Sequence, residues 1–345
     1  MFSFHSHSGQ FCMHATGTLE QVVQSAIAKK FTTYGLSEHM PRYLPDQLYP
    51  EEAHLSTRDL EGMFDSYLAE AQRLRDAYRD QITLLIGFET EYFGSQSIQW
   101  IRQLRHRHRL GEGPEGLAPV QYIVGSMHHV DSVPIDFSLE LYQKALQVVG
   151  KGDWKRLFER YFESQYEMLQ QLQPEVVGHF DLVRIFFKPA VLDASGLDAA
   201  SPSFQLTDHL WSLVKRNIDY VVSYGGLFEL NSRAWKKGLA DAYPQRDILE
   251  YILEKRGRIT LSDDSHGPKD VGMFYVPELK QYLERMNIKE VFYLAPKEEE
   301  HLVDAGEILT TSALSETGSF QHVIVKSVPV WSLDFSLASE DVSYK

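Results

Sequence analysis

Three histidines fall within the first fourteen residues, in the run HSHSGQFCMH at positions 5–14: His5, His7 and His14. On an extended strand, side chains alternate between faces, so the imidazoles of a His-x-His pair share one face and can chelate one ion. Groups of the same kind recur along the chain as Glu38 and His39, Glu89, His128 and His129, His179 and Asp181, Asn231, and finally Asp263, Asp264 and His266. Imidazole and carboxylate without thiolate is a donor set for Zn, Fe or Mn, not for an iron–sulfur cluster or a cysteine-rich structural zinc. Eight or nine such ligands exceed the needs of one ion, so the set implies two or three. Paired ions clamp the attacking and leaving oxygens of phosphoryl transfer and acidify a shared water. A carboxylate such as Glu89, with its two oxygens, suits a bridge between them.

The elements that must position these groups are strands. Short apolar runs at 2–4, 32–37, 82–89, 120–126, 175–181, 227–231 and 258–266 alternate with helical patterns. The clearest helix spans about 57–80, with Leu60, Met63, Phe64, Tyr67, Leu68, Ala71, Leu74 and Tyr78 forming one apolar stripe. Another covers 19–30 with Thr18 as its N-cap, and others cover 98–110, 138–149, 154–173, 207–224 and 245–256. A Gly/Pro-rich loop, GEGPEGLAP, follows the 98–110 helix. Sustained strand–helix alternation predicts an α/β fold with a parallel sheet. Each of the seven strands delivers a metal-capable or polar group at its C-terminal end. In a closed barrel those ends meet at one mouth, whereas an open sheet would spread them along an edge, so the pattern favours closure.

The same alternation predicts a helix at 276–287 and a strand at 290–296. HVIVKSVPVW is a candidate last strand in a segment, about 300–345, whose role the sequence leaves open. There is no internal repeat, low-complexity tract or obvious linker, and we expect one domain over 1–345. His54, His106, His108, His209, His301 and His322 fall in loops or on polar helix faces and are expected to be solvated. Of the adjacent His128 and His129, only one is expected to enter the mouth, because strand neighbours face opposite ways.

Composition narrows the function classes. The apolar fraction of 43% is ample for a large core. A net charge of −14 argues against broad nucleic-acid or anionic-membrane binding, while leaving room for a local basic pocket. Cys12 is the only cysteine, so an intrachain disulfide is impossible. With neither a signal-peptide pattern nor a long apolar run, the expectation is a soluble cytoplasmic protein with no membrane partner.

Taken together, HSHSGQFCMH, SEHMPR, GFETEY, GSMHHV, GHFDLVR and DDSH resemble, in order and spacing, the PHP (polymerase and histidinol phosphatase) superfamily, with FCMH and SEHMPRY pointing to its histidinol-phosphate phosphatase branch. The resemblance covers about residues 1–275. It implies a (β/α)7 distorted TIM-like barrel with two to three divalent ions at the C-terminal strand ends. One ion would be held by His5, His7, Glu89 and Asp264. A second would share Glu89 and add His128 and His179, and a third would take His14, His39 and His266. It further implies hydrolysis of a phosphate monoester, L-histidinol phosphate, by a metal-bridging hydroxide, with Asp264 or His266 assisting.

Arginine fits phosphate bidentately, which makes Arg184, Arg233 and Arg42 candidates for substrate binding. Charge complementarity suggests Glu229 or Asp181 for the substrate's ammonium or imidazole. The rival readings are a superfamily member acting on nucleotides or nucleic acid, and an inactive module that only binds. The acidic balance counts against the first and the full set of ligand positions against the second. An amidohydrolase would need a strand-end lysine, and none presents itself.

Overall fold

The structure is a computed structural model that describes residues 1–109, 120–186, 205–297 and 322–336. Seven parallel strands form its centre: β1 (Phe2–Ser3), β2 (Thr33–Leu36), β3 (Thr83–Glu89), β4 (Tyr122–Gly125), β5 (Val176–Val177), β6 (Leu227–Asn231) and β7 (Arg258–Ser262). They neighbour one another in that order, each parallel to the next. Strands of consecutive βα units pair this way because the intervening helix must return the chain to the same end of the sheet.

The last strand meets the first, and side chains make the seam. Ser3 Oγ donates to Asp263 Oδ1 at 2.7 Å, and the Asp263 N–H returns a bond to Ser3 Oγ at 3.2 Å. Just above, Ser6–His7 and Ser265–His266 form a two-residue parallel ladder that sets His266 against His7. The sheet is therefore a nearly closed barrel whose seam lies beside the first histidine pair.

The interior is packed and does not form a pore. Tyr122 crosses it, its hydroxyl donating to the Phe4 carbonyl at 2.9 Å. This ring explains two glycines: a Cβ at Gly35 or Gly87 would lie 2.2 or 2.5 Å from Tyr122 atoms. Tyr67 reaches in from α2 (Thr57–Ala77) and places its hydroxyl 2.7 Å from the Gly87 carbonyl, tying that helix to β3.

The helices sit close to where their patterns predict, except that the one expected over 276–287 is regular only over Lys280–Arg285, behind a turn with an extended Val276. α1 (Leu19–Ala28) opens on a Thr18/Gln21 capping box. It is followed, after α2, by α3 (Ser95–Arg109), α4 (Leu139–Val148), α5 (Trp154–Leu172), α6 (Asp208–Tyr224) and α7 (Arg246–Glu254). A final helix, α8 (Lys280–Arg285), leads into β8 (Glu290–Pro296), which pairs antiparallel with β9 (Val323–Pro329). This hairpin is the described part of the C-terminal segment. Tyr293 stacks on Phe2 and Arg258 lies against Phe292, so the hairpin packs at the N-terminal ends of β1 and β7, opposite the mouth. The fifth strand is shorter than the expected 175–181, because the chain turns after Gly178, with the Leu182 N–H bonded to the His179 carbonyl. The GEGPEGLAP loop lies outside the described residues. Among the described residues no helix is long and apolar enough to cross a membrane.

Candidate active site

Glu89, the last residue of β3, is the centre of the mouth. Five histidine nitrogens from four segments lie around its carboxylate: His128 Nε2 at 2.9 Å, His5 Nε2 at 3.0 Å, His39 Nδ1 and His179 Nε2 at 3.1 Å, and His7 Nε2 at 3.3 Å. Asp264 Oδ1 stands 3.7 Å from His5 Nε2 and 3.8 Å from His7 Nε2. Its backbone takes a left-handed φ of 44°, a conformation aspartate tolerates better than most residues, in the turn between β7 and the Ser265–His266 strand. His266 follows, its ring centroid 4.6 Å from that of His7.

Three sets of potential ligand atoms lie within 4.8 Å of one another: His5/His7/Asp264, His5/Glu89/His179 and His7/His39/His266. The structure thus brings eight of the nine expected ligand residues into contact. His14 stands one ring further out, with centroids 5.1 Å from His266 and 5.6 Å from His39 and a side chain 34% exposed. A fourth set, Cys12/His14/His39, links it to the cluster.

The donors suit divalent ions. His5 Nε2, both nitrogens of His7 and of His39, and Glu89 Oε2 are buried without a hydrogen-bond partner among the described residues. Leaving so many polar atoms unpaired is costly unless something else satisfies them. Five imidazoles cannot all be charged around one carboxylate, whereas neutral imidazoles with carboxylates are what a cation requires. Burial disfavours charge on His5 and His128. Glu89 with Asp264 and Glu229 overcomes this at His5, and Glu89 with Asp136 and Glu91 does so at His128, holding both well above the usual histidine range. Burial and positive neighbours, first His7 for the one and Arg233 for the other, push His39 and His266 well below it.

Outer carboxylates orient the rings. Glu229 Oε2 accepts from His5 Nδ1 at 2.8 Å, Asp136 Oδ2 from His128 Nδ1 at 2.9 Å, and Glu51 Oε1 from His14 Nδ1 at 2.7 Å. Such bonds fix the tautomer and leave Nε2 for a ligand. His129 turns away from Glu89, as strand alternation requires. It packs 4.3 Å from Phe93, and burial lowers its pKa to about 3.

Above the ring opens a cavity of about 290 Å³, lined by ring residues together with Tyr49, Glu51, Asp136, Phe137, Arg233, Lys237 and Tyr243. Of the three candidate arginines only Arg233 lines it, donating to the Asp264 carbonyl and to Asp270 Oδ2, both at 3.0 Å. Arg184 is instead buried against Asp181 at 2.6 Å, with a second bond to the Ala242 carbonyl. Arg42 is buried against Glu52. In each case a buried carboxylate engages the guanidinium, so neither reaches this cavity, although Arg42 lines a separate pocket beside His14 and His39. Asp181 and Glu229 are likewise engaged, Asp181 by Arg184 and the Gln245 N–H, and Glu229 by His5, the His179 N–H and Asn231.

Sequence reasoning missed Lys237, Asp136, Glu51 and Glu91. Only Glu91 carried a local signal: in GFETEY it stands two residues after Glu89, the spacing of strand alternation, though it lies beyond the end of β3, and its Oε1 lies 3.1 Å from His39 Nδ1. His54 and His209 are exposed, but His322 is half-buried rather than solvated. The side chains of His106 and His108, and the whole of His301, lie outside the described residues.

Fold and site together define an α/β barrel built around a candidate metal centre. The match to known proteins gives it a family. Residues 3–233 match the PHP domain model, and the chain belongs to that family. A Schizosaccharomyces pombe protein named "Probable histidinol-phosphatase" is 47% identical over 286 residues, 83% of this chain and 87% of that protein. The Saccharomyces cerevisiae histidinol-phosphatase is 32% identical over 315 residues, 85% of this chain and 91% of the yeast protein. A solved Lactococcus lactis histidinol phosphate phosphatase, complexed with zinc, L-histidinol and phosphate, shares the fold. Its TM-score is 0.56 at 16% identity, covering 84% of this chain and 95% of that one.

Proposed function

We propose that this chain is a metal-dependent phosphomonoesterase that hydrolyses L-histidinol phosphate to L-histidinol and phosphate. The observation that carries the reading is the meeting, in one cavity, of the imidazole ring around Glu89 with Arg233 and Lys237. The names of the fungal relatives supply the ester. Two to three ions of zinc, iron or manganese would be held by His5, His7, Glu89 and Asp264, by Glu89, His128 and His179, and by His14, His39 and His266. Bound there, they would supply an acidified water and neutralise phosphoryl oxygens.

The chain's own groups do the rest. Arg233 and Lys237 counter the phosphate charge and fix its orientation. Asp264 or His266, which also line the cavity, would assist the metal-bound hydroxide. The net charge of −14 suits a small ester in the cytoplasm better than nucleic acid.

Phosphate release tests this. Chelated protein is reloaded with Zn, Mn or Fe and given L-histidinol phosphate, bis-p-nitrophenyl phosphate or a short single-stranded oligonucleotide. Metal-dependent turnover of L-histidinol phosphate alone, lost in an Asp264→Ala, His266→Ala variant, is the expected result. Cleavage of the diester or oligonucleotide without it would refute the assignment.

A further inference from the structure

The substrate of the proposed reaction carries an ammonium on the carbon next to the ester-bearing carbon. With its phosphate at the ring around Glu89, that ammonium must lie close to the ring, while the imidazole extends outward. Both oxygens of Glu229 are spent on protein partners, and Asp181, though its Oδ1 is open, does not line the cavity. Two other carboxylates line the cavity outside the ring, Glu51 and Asp136.

Asp136 is the better placed. Its Oδ2 holds His128 Nδ1 at 2.9 Å, so it stands directly behind a ring histidine. Its Oδ1 is buried and has no hydrogen-bond partner among the described residues. Nor does Asp136 belong to any set of metal-capable groups there, so a metal does not account for the open oxygen. The Glu51 and Asp136 side chains are comparably exposed, 25% and 21%, and what separates them is that Asp136 Oδ1 itself is buried and open, whereas no Glu51 oxygen is. Next to Asp136 in the chain, Phe137 stacks on Tyr49 with centroids 5.5 Å apart, and both rings line the same cavity. That pair offers an apolar face of the kind a heteroaromatic ring packs against.

We propose that Asp136 is the specificity-determining residue of this site, its Oδ1 pairing with the ammonium of an amino-alcohol phosphate while Tyr49 and Phe137 receive the imidazole. The inference rests on the reaction proposed above. A buried charge-assisted hydrogen bond that one substrate can make and its analogue cannot supports discrimination of roughly 10- to 100-fold.

The test compares kcat/KM for L-histidinol phosphate with that for its des-amino analogue, 3-(imidazol-4-yl)propyl phosphate, in the metal-loaded wild type and in Asp136→Asn. Asparagine keeps an acceptor for His128 Nδ1. Any loss through ring orientation strikes both esters equally and cancels in the ratio, and metal content is measured alongside. We expect the wild type to prefer the amine-bearing ester by that factor and Asp136→Asn to lose most of the preference. Equal rates for the two esters in the wild type overturn the proposal. So does a ratio that survives in Asp136→Asn but collapses in Glu51→Gln. Hydrolysis of neither ester by metal-loaded wild type overturns the underlying reaction and the inference with it, a pattern distinct from both.

Discussion

Two kinds of buried polar cluster stand side by side in this barrel. Away from Glu89, three buried arginines each meet a carboxylate: Arg184 with Asp181, Arg42 with Glu52, Arg105 with Glu175. At the mouth, five histidine nitrogens crowd one carboxylate, Glu89, within 3.3 Å. One-to-one pairs balance their charge and hold the protein to itself. A five-to-one arrangement balances nothing unless cations enter it, and its open nitrogens are the signature of a site built for something the chain does not contain.

The sharpest way to break the comparison is to remove its centre. Glu89→Gln should leave the fold intact but lower kcat/KM by on the order of 10³-fold, read in the phosphate-release assay with metal content measured in parallel. Arg184→Ala should do the reverse. It strands Asp181 in a buried site and should cost about 3–5 kcal/mol of stability in denaturant unfolding. An Arg184→Ala protein that unfolds like the wild type but cannot bind substrate would show the pair to be a ligand site after all.

The opposite contrast explains what the sequence could and could not reveal. His5 and His7 were legible because strand alternation places them on one face. Glu89, His128, His179 and Asp264 were legible because each ends an apolar run. Arg184 was misread because its local context, just after GHFD, resembles that of an anion ligand. The carboxylate and carbonyl that claim it, Asp181 and Ala242, are brought together only by the tertiary fold. Asp136 and Lys237 sit in loop and helix-end positions with no periodic signature, and they reach the cavity only once the barrel closes. The short fifth strand and the hairpin at the barrel's far end are likewise products of packing.

Smaller effects sharpen the account. Glu229→Gln loosens the hold on His5 Nδ1 and should weaken metal retention about 10- to 100-fold in a chelator competition. Proton release is subtler still. His5 and His128 are held well above the usual histidine range by surrounding carboxylates, so near pH 7 the metal-free chain carries protons there that an entering cation must displace. Metal binding should release protons, and apparent affinity should fall as pH drops. Calorimetry in buffers of different ionisation enthalpy reads this directly, and buffer-independent heats would contradict it.

The most direct test of the central claim is anomalous diffraction from crystals loaded with zinc. The account predicts strong peaks among His5, His7, Glu89 and Asp264 and between Glu89, His128 and His179. Loaded crystals with no density at the mouth, or with zinc only at surface histidines such as His209, would contradict it.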